Sequence, residues 1–116
     1  MDFKRDILII DLEFTGFDVK KHEILQIAAV LLDKKTLKEK KFFSSFVRPT
    51  PRLWKHRNRE SMAVNKISLQ MLKGAPSLKK VIGLFNKTFG HNVILAAYVG
   101  YNDKKFLIEA YGKAKI

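Results

Sequence analysis

Asp11 and Glu13 stand one residue apart, directly after the apolar run Ile7-Leu8-Ile9-Ile10. Side chains of a strand alternate between its faces, so Ile7, Ile9, Asp11 and Glu13 share one face, and Leu8, Ile10, Leu12 and Phe14 the other. The two carboxylates are thus expected to continue a buried apolar face. Side by side and partly desolvated, they repel, and one takes up a proton unless a cation lies between them. Hard oxygen donors at a strand end suit Mg²⁺ or Mn²⁺. Spacing alone also admits a plainer account, a strand end emerging into solvent, which is the simpler one because acid-x-acid is a common pattern. Asp103 is the third acid of interest. It opens the last helical pattern, where it or Asn102 would also serve as a cap. If the strand before it neighbours the first strand, Asp103 faces Asp11 and Glu13 across the crevice where open α/β sheets bind ligands.

The elements that must position these acids can be read along the chain. Residues 4–14 read as a strand, apolar on both faces as in the middle of a covered sheet. Thr15-Gly16-Phe17-Asp18 is a turn. Residues 23–32 form a second strand, joined through Asp33-Lys34-Lys35 to a third at about 37–47. Residues 48–60 carry Pro49, Pro51 and much charge and read as a loop. Short helical pieces are expected at 61–64 and 68–72, stopped by Gly74. In residues 77–89, Leu78, Val81, Ile82, Phe85 and Phe89 have helical spacing, with Ser77 as the cap. A fourth strand, 93–98, precedes a helix at 103–113 that turns Phe106, Leu107, Ala110 and Tyr111 inward. The order β-β-β-α-β-α describes one α/β domain over residues 1–116.

Composition narrows the function. The 116 residues contain 23 Lys and Arg against 11 Asp and Glu, a formal charge of +12. Residues 1–33 hold four bases and seven acids, whereas residues 34–59 alone hold ten bases and one acid. Such a basic surface favours polyanions, because neutralising phosphates releases their counterions. Arg52, Lys55, Arg57 and Arg59 interleave with Trp54 and His56, a composition that holds a backbone and stacks a base. A solvated loop with Trp54 folded onto the core explains it equally well. His22, His56 and His91 read as surface or loop residues. The absence of cysteine excludes a disulfide framework, a Cys-ligated zinc and a catalytic thiol. No apolar run suggests a membrane span or a secretory signal, so a soluble cytoplasmic protein is expected.

The segment Ile9-Ile10-Asp11-Leu12-Glu13-Phe14-Thr15-Gly16-Phe17, followed by His22-Glu23-Ile24-Leu25-Gln26-Ile27-Ala28-Ala29-Val30, resembles the first motif of the DEDD (DnaQ-like) 3′–5′ exonucleases, D-x-E-x-T-G leading into an apolar strand. Met62-Ala63-Val64-Asn65-Lys66-Ile67-Ser68, with Leu72 and Ala75-Pro76-Ser77, is similar to that family's middle segment. Asp103-Lys104-Lys105-Phe106-Leu107 resembles its second motif, closest to oligoribonucleases. The resemblance runs from about Ile7 to Gly112 and shifts the balance toward a metal site. It implies an RNase H-like mixed sheet flanked by helices. Where the family has His-Asn and then Phe around the second motif, this chain has Tyr98, Val99 and Asn102. The family continues with a further strand, a helix and a third motif, so the resemblance makes this chain the N-terminal two thirds of the usual domain, truncated at its C-terminus.

The resemblance further implies metal-dependent trimming of single-stranded DNA or RNA from the 3′ end, with two Mg²⁺ or Mn²⁺ ions at the scissile phosphate. Asp11 would bind both ions, Glu13 one while helping to place the water, and Asp103 the second. Phe14, Thr15, Gly16 and Phe17 would line the pocket for the terminal nucleotide, Gly16 by permitting close approach. Phe17 is suited to stacking on a base, whereas core packing is the simpler role for Phe14. Without the third motif the chain is expected to be weakly active or inactive alone, and an exposed fourth-strand edge would invite a homodimer or a partner that completes the sheet. The competing function is a non-catalytic nucleic-acid-binding or interaction module on the same fold.

Overall fold

The computed structural model describes residues 3–97 and 101–114. Its four strands are β1 (Asp6–Phe14), β2 (Ile24–Leu32), β3 (Glu39–Phe46) and β4 (Val93–Ala97), arranged in the order β3-β2-β1-β4. β1 pairs antiparallel with β2 and parallel with β4, and β2 pairs antiparallel with β3. The helices are α1 (Pro51–Trp54), α2 (Arg59–Asn65), α3 (Leu78–Phe89) and α4 (Tyr101–Ala114). The mixed sheet flanked by helices is the α/β architecture expected from the sequence. Tyr98, the expected end of the fourth strand, and Val99 lie outside the described residues.

The core forms on one side of the sheet. Leu8, Ile10, Leu12 and Phe14 of β1 join Ile27, Ala29 and Leu31 of β2, with Val81, Ile82, Phe85 and Phe89 of α3 and Phe106, Leu107 and Ala110 of α4 packed on them. Here the expectation of a strand covered on both faces is corrected. Ile9 is 40% exposed and Phe42, on the same side of the sheet, 64%. Both long helices contribute to the core on the Leu8 side, and Asp11 and Glu13 continue the open face rather than the buried one. Alternation showed that the sheet has two faces but not how many the helices would cover.

Several boundaries differ for local reasons. Residues 33–38 form the turn between β2 and β3: the Asp33 carboxylate accepts from the N–H groups of Lys35 and Thr36, and Leu37 takes φ 59°. Residues 48–60 are not all loop, because Pro51 occupies the first turn of α1, where its missing N–H costs nothing. The expected helix at 68–72 is instead a run of turns, with Met71 N–H donating to the Ser68 carbonyl and Leu72 N–H to that of Leu69. Ser77 does cap α3, its hydroxyl accepting from Lys80 N–H.

Candidate active site

The β1–β4 pairing extends from Asp6 opposite Val93 to Ile10 opposite Ala97. Beyond it, Leu12 N–H donates to Asp103 Oδ2 at 3.0 Å, across 91 residues of sequence. The carboxylate in the first turn of α4 therefore takes the place of a ladder carbonyl, and this bond fixes Asp103 beside Asp11 and Glu13. Phe106, one turn on, stacks on Phe14 with ring centroids 4.3 Å apart and holds α4 against the strand. On the other edge of β1 the register skips Leu25 between the pairs Glu13–Gln26 and Phe14–Ile24. This bulge sends Leu25 into a second small core with Ile67 and Leu72.

The three acids open onto a cavity of about 480 Å³, whose other lining residues include Phe14, Phe17, Asn58, Glu60, Ser61, Val64, Asn65 and Asn102. Its far wall is α2, a part of the site that the sequence had not indicated. The helix is capped by Asn58, whose side chain accepts from Ser61 N–H at 2.9 Å. Asn58 N–H donates to the Thr15 carbonyl at 2.6 Å, and Asn65 Nδ2 donates to the Phe14 carbonyl at 2.9 Å. Phe17, 62% exposed, and Val64, 81% exposed, give the cavity two apolar surfaces. The sequence predicted a helical piece at 61–64 but read its Asn58 cap as loop and gave the helix no place in the site.

The remaining sequence candidates divide by position. Phe14 and Phe17 line the cavity, the first also serving the core. Thr15 is fully buried, its hydroxyl accepting from Glu23 N–H at 3.0 Å and its N–H donating to the Glu23 carbonyl. Gly16 is needed for a close approach, and the group that approaches is the His22 imidazole, which an added Cβ would strike. Trp54 lies away from the cavity, packed on the Leu25 core, with the Arg57 guanidinium 4.9 Å from its ring centroid. His22, expected to be a surface or loop residue, lies in the loop before β2 with its ring held at both nitrogens, by Asp18 N–H and the His56 carbonyl.

Burial, then the charges of Asp11 and Asp103, raise Glu13 above the ordinary Glu value. Burial and Asp11 likewise raise Asp103, with the Leu12 N–H pulling the other way. Mutual repulsion of this kind favours a bound cation, and the donor set is all carboxylate oxygen, as Mg²⁺ and Mn²⁺ require. In the arrangement as it stands, no group of three His, Cys, Asp or Glu residues is close enough to hold an ion among the described residues. The chemistry of the donors fits, and side-chain rotation would have to complete the grip. Glu23, buried behind the site, is raised by burial and accepts from Thr50 N–H at 3.1 Å, tying β2 to the start of α1.

Three acids thus gather beyond the described end of the parallel β1–β4 pair, an arrangement like that of a nuclease. The RNase T family model, described as exonuclease, matches residues 8–114, and the chain belongs to this DnaQ-like exonuclease family with its RNase H-like fold. It is 33% identical over 100 residues to the DNA polymerase III subunit epsilon of Aquifex aeolicus (strain VF5), covering 86% of this chain and 46% of that protein. The chain thus spans about half the length of this curated relative. Among solved structures, a 3′-exonuclease recognising the 3′ end of a histone mRNA stem-loop matches with TM-score 0.69 and 27% identity, over 99% of this chain and 43% of that one. Exonuclease X in complex with 5′ overhanging duplex DNA matches with TM-score 0.65 and 25% identity, over 87% and 53%. E. coli exonuclease I with a dT13 oligonucleotide shares the fold at TM-score 0.79 and 12% identity, over 96% and 24%. No helix among the described residues is long and apolar enough to cross a membrane.

Proposed function

We propose that this chain carries the catalytic carboxylates of a metal-dependent 3′–5′ exonuclease acting on single-stranded DNA or RNA ends. The observation that carries the reading is the convergence of Asp11, Glu13 and Asp103 on one cavity that also exposes Phe17 and Val64. In the reaction, a water oxygen bonds to phosphorus as the bond to the 3′ oxygen of the preceding nucleotide breaks. Divalent ions held by the three carboxylates would activate that water and stabilise the leaving oxygen. Asp11 offers its oxygens on the exposed face of β1, and Asp103 is oriented for the same task by Leu12 N–H. Glu13, raised by its neighbours, is suited to place the water. Phe17 and Val64 would hold the terminal base from opposite sides, stacking being worth about 1–3 kcal/mol per base.

The cavity lining contains no histidine among the described residues. Turnover by this chain alone is therefore slow under this reading, since a general base contributes about 10²–10⁴-fold. Among the described residues the outer edge of β4 is unpaired, and a homodimer or a partner strand adding to it is part of the proposal. Trimming of an end-labelled oligonucleotide, with Mn²⁺ and with EDTA, tests the reading. Metal-dependent shortening from the 3′ end, lost by about 10²-fold or more in Asp11→Ala, is expected. Shortening that survives in Asp11→Ala would remove Asp11 from the mechanism. A second reading, a non-catalytic nucleic-acid-binding module, draws on the absence of a closed ligand trio. Calorimetry in Mn²⁺ separates the two, because an ion at one hundred times its Kd raises stability by about 2.7 kcal/mol only where a site exists.

A further inference from the structure

His22 stands outside the cavity yet joins the segments that carry its two walls. Its ring lies against Gly16, the residue before Phe17. Nδ1 accepts from Asp18 N–H at 3.0 Å, and Nε2 lies 3.1 Å from the carbonyl oxygen of His56. A backbone N–H can only donate and a carbonyl can only accept, so the two bonds together require a neutral ring with its proton on Nε2. His56 lies two residues before Asn58, which caps α2 and lines the cavity. Near the tip of the Phe17 turn the backbone bonds close within the turn, Lys21 N–H and His22 N–H both donating to the Asp18 carbonyl. Two further ties between the walls, from Asn58 and Asn65, go to the carbonyls of Thr15 and Phe14, before the Phe17 turn.

We infer that His22 is a positioning residue: its Nε2–H bond to the His56 carbonyl couples the Phe17 turn to the root of α2 and so sets the width of the cavity in which a terminal nucleotide would sit. The inference deepens the exonuclease reading and rests on it for the identity of the occupant. It also supplies a reason for the glycine at position 16 other than approach of a substrate. A side chain there would displace the imidazole, and with it the bond to His56.

Two near-isosteric replacements separate the bonds. In His22→Asn the side-chain oxygen can replace Nδ1 and accept from Asp18 N–H, while the His56 carbonyl loses its donor. In His22→Gln the amide nitrogen can replace Nε2 and serve the His56 carbonyl, while Asp18 N–H loses its acceptor. Amide hydrogen exchange of residues 58–65 in the full chain, without nucleic acid, reads the coupling directly. Binding of a labelled oligothymidylate in Mn²⁺, by anisotropy, reads its consequence. Faster exchange and weaker binding in His22→Asn, each by about 2–10-fold, with near wild-type values in His22→Gln, are expected for loss of one neutral hydrogen bond. Equal behaviour of the two variants, or unchanged exchange in His22→Asn, overturns the inference. A wild-type chain that binds no oligonucleotide while the exchange pattern holds overturns the exonuclease reading and leaves the coupling standing.

Discussion

One wall of the cavity is a strand and a helix whose far sides are buried; the other is a seven-residue helix with no buried residue, held by hydrogen bonds and by half-buried Met62 on the Leu25 core. On the first wall Leu12 and Phe14 sit in the core while Asp11 and Glu13 face outward, so packing on one side fixes the acids on the other. On the second, α2 is attached through Asn58 to the Thr15 carbonyl and through Asn65 to the Phe14 carbonyl. The contrast parallels the proposed roles. The groups proposed to meet a reacting phosphate stand on packed elements, and the surface proposed to embrace a base stands on an element with no buried residue.

The largest expected effect is on the packed wall. Phe106→Ala removes the ring stacked on Phe14 and should destabilise the chain by about 3–5 kcal/mol, read as a fall in the chemical-denaturation midpoint. A loss below 1 kcal/mol would show that α4 is not what holds the acids. Next, Asn65→Ala leaves the Phe14 carbonyl without its donor and Ile67 N–H without its acceptor. It should cost about 1–3 kcal/mol, and protease accessibility of α2 should rise before the core unfolds. Simultaneous loss of both walls in that assay would erase the distinction between them.

Smaller effects sharpen it. Phe17→Ala should weaken oligonucleotide binding by about 1 kcal/mol, the low end for base stacking, with the thermal midpoint unmoved because the ring is mostly in water. Glu13→Gln concerns charge on the packed wall. Since the Glu13 pKa is raised by burial and by Asp11 and Asp103, the folded state binds its proton more tightly than the unfolded chain does. Its stabilising contribution is complete below the ordinary value of 4.5 and is lost as pH rises through the higher folded value. In EDTA at neutral pH, Glu13→Gln should therefore be more stable than wild type by about 0.5 kcal/mol, a small figure because water screens the partly exposed group. That gain should shrink to nothing below the ordinary Glu value, and a gain independent of pH would point to packing instead of charge.

Much of the packed wall was legible in the residues. Period-two alternation put Asp11 and Glu13 on one face of β1, and the spacing of Leu78, Val81, Ile82, Phe85 and Phe89 defined the buried side of α3. Asp103 joined them only on the condition that the fourth strand neighbours the first, a condition that the motif resemblance favoured and that the β1–β4 pairing meets. The second wall was legible only as a short helical piece at 61–64, because a seven-residue helix with no buried residue leaves little periodic trace of the surface it faces. Pro51, read as a breaker, begins a helix, and Trp54, which composition left equally to a base or to the core, packs on the Leu25 core.

Local chemistry, which acts through neighbours a few residues away, was thus enough to determine strands, caps, helix faces and the shared side of the first two acids. Tertiary structure alone decided that the acids continue the open face, that Leu12 N–H captures Asp103, that α2 closes the cavity, and that His22 meets Gly16 and His56. Each of these depends on which segments become neighbours across the sheet, and that outcome is set by the packing of the whole chain, whereas periodicity records only the demands that each segment makes for itself.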